Sequence, residues 1–199
     1  MKANLYIEGG GDSKEGKIRC REGFRKLIEN AGFSGRMPRL IACGGRGAAF
    51  DDFKTAHAGQ TAGDFIAMLV DSEDPVADGE KTWDHLKIRD HWDQPEGAAE
   101  EQVLFMTTCM ETWIVVDRAA LQGHYDQLLQ LSALLSPAES ESRSRHDVQE
   151  NLLHATRNCK NAYAKGKRSF EVLAKLDPAV LKKYLPSFVR IIRILEAKL

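Results

Sequence analysis

An α/β fold, with a mainly parallel sheet flanked by helices and a helical extension at its C-terminal side, is what this 199-residue sequence predicts. Three observations carry the prediction. Short apolar runs alternate with amphipathic stretches through the first half, the signature of βα units. The strongest run, Asp64 to Val70, is apolar without alternation, as expected of a strand covered on both faces. From Val148 onward the pattern is a series of helices, punctuated by Asp177-Pro178 and Pro186.

The elements follow in order. Asn4 to Ile7 reads as a first strand, ending in Glu8 and the turn-forming Gly9-Gly10-Gly11. A helix follows with Cys20, Phe24, Leu27 and Ile28 on one face, stopped by Asn30-Ala31-Gly32. Arg39 to Cys43 is a second strand, closed by Gly44-Gly45-Arg46-Gly47, and Ala48 to Ala58 suits a short helix. Asp64 to Val70 is the third strand; it runs into Asp71-Ser72-Glu73-Asp74-Pro75, where the proline forbids continuation. After an acidic, Trp-containing stretch, Gln102 to Cys109 forms a fourth strand, and a helix from about Met110 carries Trp113, Ile114, Val116 and Leu121. Ser136 to Arg145 is the one low-complexity stretch and reads as a flexible loop. Helices are then expected over Val148 to Tyr163, Ser169 to Leu176, Val180 to Tyr184 and Phe188 to Leu195. The expected organisation is an α/β domain over 1–135, a flexible loop over 136–147, and a helical extension over 148–199 packing on that domain.

Composition excludes several classes. At 43% hydrophobic and 29% charged residues the chain is neither disordered nor fibrous. The longest apolar runs, Phe65 to Val70 and Trp113 to Val116, fall far short of the ~20 residues that span a bilayer. The start lacks the apolar core of a signal peptide, so a cytoplasmic protein without a membrane partner is expected. Cys20, Cys43, Cys109 and Cys159 form no Cys-x-x-Cys pair, which removes zinc-ribbon and thioredoxin-like readings. His85 and His91, among Trp83, Asp90, Trp92 and Asp93, read as a solvated, partly aromatic face rather than a metal site.

The net charge of −1 hides an asymmetry. Arg157 to Leu199 holds eleven Lys/Arg against three Asp/Glu, whereas Asp71 to Glu101 holds eleven acids against three basic residues. A basic tail joined to an acidic, metal-friendly segment suits an enzyme that handles a polyanion.

The chemistry is expected at the carboxyl ends of the strands, where open α/β sheets bind their ligands. Glu8 closes the first strand; Asp71 closes the third, with Glu73 and Asp74 just beyond. Converging carboxylates repel unless a cation neutralises them, and hard oxygen ligands suit Mg²⁺ or Mn²⁺ rather than zinc. Metal-assisted phosphodiester cleavage is the natural use of such a site.

The segments Tyr6-Ile7-Glu8-Gly9 and Leu69-Val70-Asp71-Ser72-Glu73-Asp74 resemble the two motifs of the Toprim domain. That domain occurs in topoisomerases, bacterial primases, recombination-repair proteins and OLD-family nucleases. The resemblance spans roughly Met1 to Cys109 and departs from the family at the second acid of its Asp-x-Asp, where Glu73 stands with Asp74 one further on; either can be the ligand. Met110-Glu111-Thr112-Trp113 leading into Val116-Asp117, and Lys165-Gly166-Lys167-Arg168-Ser169, look like later motifs of small Toprim-like proteins. The resemblance implies Glu8 as metal ligand or proton-transfer group, Asp71 as the principal Mg²⁺ ligand, and Glu73 or Asp74 completing the shell. It implies Glu111 extending the acidic cluster, and Lys165 or Lys167 offsetting charge on the phosphate, with Gly9, Gly10 and Arg168 as further phosphate contacts. It also implies a nuclease acting on DNA rather than RNA, beside an ATPase partner in defence against phage.

A competing motif overlaps this one. Gly11-Asp12-Ser13-Lys14-Glu15-Gly16-Lys17 fits the phosphate-cradling Gly-x-x-x-x-Gly-Lys loop, although Ile18 stands where that mechanism requires a Ser or Thr. An NTP-binding protein and a non-catalytic phosphate- or partner-binding module are therefore the alternatives.

Overall fold

The computed structural model describes residues 2–199, with the side chain of Lys167 outside the description. Four strands, β1 (Ala3–Glu8), β2 (Arg39–Gly44), β3 (Phe65–Asp71) and β4 (Val103–Met106), form one sheet in the order β2-β1-β3-β4. Every pairing is parallel: Asn4 faces Arg39 on one side and Ile66 on the other, and Met68 faces Val103. The fold is α/β, as the alternation of apolar and amphipathic segments predicts.

The helices are α1 (Lys14–Ile28), α2 (Arg46–Ala58), α3 (Thr82–Asp90), α4 (Met110–Val116), α5 (Arg118–His124), α6 (Arg145–Thr156), α7 (Lys167–Leu173), α8 (Pro178–Tyr184) and α9 (Pro186–Lys198). Their ends have local causes. The Ser13 hydroxyl accepts the Gly16 N–H at 3.0 Å to cap α1, and Ser144 does the same for Asp147 in α6 at 3.1 Å. Asp177 caps α8, with Pro178 in the first helical position.

The two-residue period of the strands divides the core between the two faces of the sheet. Leu5, Ile7, Ala67, Leu69, Leu104 and Met106 point to one face and pack with α1, α4 and the C-terminal helices. Ile66, Met68, Val70, Val103 and Phe105 point to the other and pack with Phe50 and Phe53 of α2 and Trp83 and Leu86 of α3. All seven β3 residues are buried, which is why that run reads as apolar without alternation.

Four expectations are corrected. The fourth strand is Val103–Met106, because the chain turns away after Met106 towards the start of α4. The helix expected over Val148 to Tyr163 begins at Arg145 and ends at Thr156, whose hydroxyl accepts the Tyr163 N–H at 3.0 Å and folds the following segment back. Within the stretch expected to be a flexible loop, Ser140 is buried and the Glu141 carboxylate accepts from the Ser187 N–H and hydroxyl, tying it to α9. The segment expected to be a solvated aromatic face is partly core: Trp83 is buried, and the His85 imidazole donates to the Ser72 carbonyl at 2.9 Å. No helix among the described residues is long and apolar enough to cross a membrane.

Candidate metal centre

β1 and β3 are neighbours with Ile7 beside Leu69, so Glu8 and Asp71 emerge together at the carboxyl edge of the sheet. The Asp71 N–H donates to Glu8 Oε2 at 3.1 Å, which locks the two strand ends together. One carboxylate oxygen each from Glu8, Asp71 and Glu73 lies within 4.8 Å of the others. Three acids at that spacing form a set of hard oxygen donors that can hold a metal ion.

Glu73 is presented by an unusual backbone. Its φ is 70°, a left-handed conformation that costs a residue with a Cβ roughly 1–2 kcal/mol. The conformation is held from both sides: the Ser72 N–H donates to the Met106 carbonyl at 3.1 Å and the Glu73 N–H to the Thr108 carbonyl at 2.8 Å. This extends the β3–β4 pairing past the strand end and turns the Glu73 side chain back over Asp71. Asp74, left open as a ligand by the sequence, points away; its side chain is 67% exposed and pairs with Arg89 at 3.2 Å. Of the two alternatives, Glu73 is the one that joins Glu8 and Asp71.

Arginines supply countercharge to the three acids. Arg46, at the start of α2, lies 3.5 Å from Glu8, donates to the Asp71 carbonyl oxygen, and grips Asp90 at 2.7 and 3.1 Å. Arg89 reaches Glu73 at 3.1 Å from α3, and Arg145 pairs with Glu73 from the first turn of α6. Burial still dominates the electrostatics. It raises the Glu8 carboxyl above its usual range, against the opposing pull of Arg46, the Asp71 N–H and Lys165. Asp71 is raised well above its usual range, first by burial and then by Glu8 and Glu111, although the Met110 N–H donates to its Oδ1 at 2.8 Å.

Glu111, from the first turn of α4, is buried beside this cluster but outside the converging three. Tyr163 donates its phenolic hydrogen to Glu111 Oε1, and Gln149 donates to Oε2 at 3.2 Å. Burial, then the carboxylate, push the phenol well up, so it remains a donor. Asp117, from the same helical motif, is structural: its carboxylate caps α5 and accepts the Asp177 N–H at 2.8 Å.

Glu8, Asp71 and Glu111 open into a cavity of about 290 Å³ that is also lined by Gly9, Gly10, Lys165 and Gly166. Lys165 is exposed at its rim and draws the Glu8 and Asp71 carboxyls downward. The other expected phosphate contacts fare differently. Arg168 donates to the Ala162 carbonyl at 2.7 Å, and the Lys167 side chain lies outside the described residues. The Gly9 N–H is already bonded to the Gly44 carbonyl at 2.8 Å. Gly9 has a packing reason as well: at φ 141° a Cβ there would sit 3.0 Å from Cys20 Sγ. A larger concavity of about 610 Å³, lined by Asp64, Phe65, Gln102 and Lys198, sits at the opposite end of the sheet, away from the acids.

The three arginines were missed by the sequence reading. Arg46 directly follows the glycines that close β2, so the strand-end logic that singled out Glu8 and Asp71 applies to it equally. Nothing local marks Arg89 or Arg145.

One comparison bears on this arrangement: the model of the family described as a domain of unknown function, DUF4276, matches residues 7–196. The chain belongs to the DUF4276 family. That match runs from β1 into α9, so the family's unit includes the sheet that carries Glu8 and Asp71, the helix that carries Arg145 and the turn that carries Lys165. Searches of curated proteins and of solved structures returned no match.

Proposed function

We propose that this DUF4276 protein is a divalent-metal-dependent nuclease that hydrolyses DNA phosphodiester bonds, with Mg²⁺ or Mn²⁺ held by Glu8, Asp71 and Glu73. The observation that carries the reading is the convergence of those acids within 4.8 Å at the carboxyl edge of a parallel sheet. A glutamate kept in a left-handed backbone conformation strengthens it, since strain of that kind collects where a side chain is needed in place. The Toprim resemblance of the Glu8 and Asp71 motifs points the same way.

A bound divalent ion would polarise the phosphate and lower the pKa of water. Glu8, whose carboxyl burial raises above its usual range, is suited to accept a proton. In the hydrolysis the water oxygen bonds to phosphorus and its proton passes to Glu8. The phosphorus–oxygen bond to the sugar breaks, and the departing oxygen takes a proton from solvent while Lys165 offsets the charge on the phosphate. The basic C-terminal helices would hold the nucleic-acid backbone, so binding should weaken steeply as salt rises. A cytoplasmic setting beside an ATPase partner, in defence against phage, completes the proposal.

The NTP-binding reading is weaker on two specific grounds. The Gly16 N–H in the first turn of α1 is capped by Ser13, and Lys17 does not line the cavity beside the acids. The deciding experiment incubates supercoiled plasmid, and in parallel a labelled RNA, with the protein and Mn²⁺ in the absence of nucleotide. Plasmid nicking that falls by about 10²-fold or more in Glu8→Gln and Asp71→Asn is expected. Activity that survives both changes but is lost in Lys17→Ala would transfer the function to the NTP-binding loop.

A further inference from the structure

We propose that Arg145 and Arg89 form an oxyanion site beside the metal centre: they pair with Glu73, and when a cation takes Glu73 they pass to a phosphate of the nucleic-acid backbone. This rests on the metal-dependent reading above and assigns the substrate contact within it. Two guanidiniums meet on one carboxylate from different elements, Arg89 from α3 and Arg145 from α6. Both guanidiniums contact Oε2 of Glu73, a carboxylate only 9% exposed, so a divalent ion on the same carboxylate brings three positive groups to one side chain. Their mutual repulsion loosens the arginines from Glu73.

The released groups are suited to an anion. Arg145 is 47% exposed, and Glu73 is its one ion-pair partner among the described residues, so its remaining donors face outward. Arg89 has its Nε 3.2 Å from Asp74 and one terminal nitrogen on Asp90, which fixes its direction and frees only the nitrogen now on Glu73 when that carboxylate is claimed. Arg145 stands in the first turn of α6, a twelve-residue helix whose dipole adds positive potential at that end. A guanidinium fork matches two oxygens of a phosphodiester and repels a second free cation.

The arrangement predicts opposite effects of one substitution. In Arg145→Ala a competitor for Glu73 is removed, so Mn²⁺, followed by loss of the free-ion EPR signal, should bind as tightly as in the parent or a few-fold more tightly. A short fluorescein-labelled thymidine oligonucleotide with hydrolysis-resistant phosphorothioate linkages, followed by anisotropy at saturating Mn²⁺, should bind about tenfold more weakly. Arg145→Lys, which keeps the charge and loses the fork, should fall between the two and guards against a folding defect. Unchanged oligonucleotide binding in both variants, or weakened Mn²⁺ binding in Arg145→Ala, overturns the proposal and leaves the metal reading intact. A parent chain that takes up no Mn²⁺ overturns both.

Discussion

At Asp71, burial and two neighbouring carboxylates act in the same direction. The side chain is buried, faces Glu8 and Glu111, and receives one backbone N–H from Met110. An asparagine there keeps the acceptor for that N–H and removes the like-charge repulsion. Asp71→Asn should therefore raise the melting temperature of the metal-free protein while abolishing the increase that Mn²⁺ produces in the parent. For the parent, that increase corresponds to about 2.7 kcal/mol at a hundredfold excess over the dissociation constant, measurable by differential scanning fluorimetry. Gly10 is constrained in another way. Its φ of 87° and a would-be Cβ only 2.8 Å from the Lys17 backbone leave no room for alanine. Gly10→Ala should cost stability by roughly 2 kcal/mol or more, because a rigid helix start rather than a flexible side-chain tip must move.

At the scale of elements, the site is braced by contacts between helices. Arg46 of α2 and Asp90 of α3 form a two-pronged pair across the second face of the sheet, and the same guanidinium supports Glu8. Asp90→Asn should lower stability by about 2–3 kcal/mol in a denaturant titration, towards the low end for a buried pair because Arg46 retains some solvent contact. It should also weaken metal binding by letting Arg46 drift. Glu141 ties the segment before α6 to the start of α9 through Ser187. Burial raises its carboxyl above the usual range, against the Ser187 bonds. Between the unfolded and folded pKa values the native state holds the extra proton, so this contribution is complete below the unfolded value and is lost as pH rises through the folded one. Glu141→Gln should flatten that part of the stability–pH profile.

Across the whole molecule the sheet and the C-terminal helices share one hydrophobic core. Leu5 and Ile7 of β1, Phe24 of α1, Trp113 of α4 and Ile192 and Leu195 of α9 belong to the same buried cluster, with Trp113 edge-on to both Phe24 and Phe188. A chain ending at Leu135 would expose this face and lose the residues from α6 to α9, so it should show no cooperative thermal transition by circular dichroism. It would also lose Arg145, Tyr163 and Lys165, and with them part of the site.

The order of strands and helices, the unalternating burial of β3, and the two acids at the ends of β1 and β3 are legible from residues alone. Each depends on local periodicity and on turn chemistry within a few positions. Glu111 was legible as an acid in the first turn of a helix, but its burial and the Tyr163 and Gln149 groups that hold it were not. Whether Glu73 or Asp74 completes the cluster, and that Arg46, Arg89 and Arg145 neutralise it, were decided only by tertiary structure. The first depends on a left-handed turn fixed by the Met106 and Thr108 carbonyls at and just beyond the end of β4, and the second on three helices converging from distant parts of the chain. Charge pairing at that range is a property of packing, which leaves no period or spacing in the sequence to mark it.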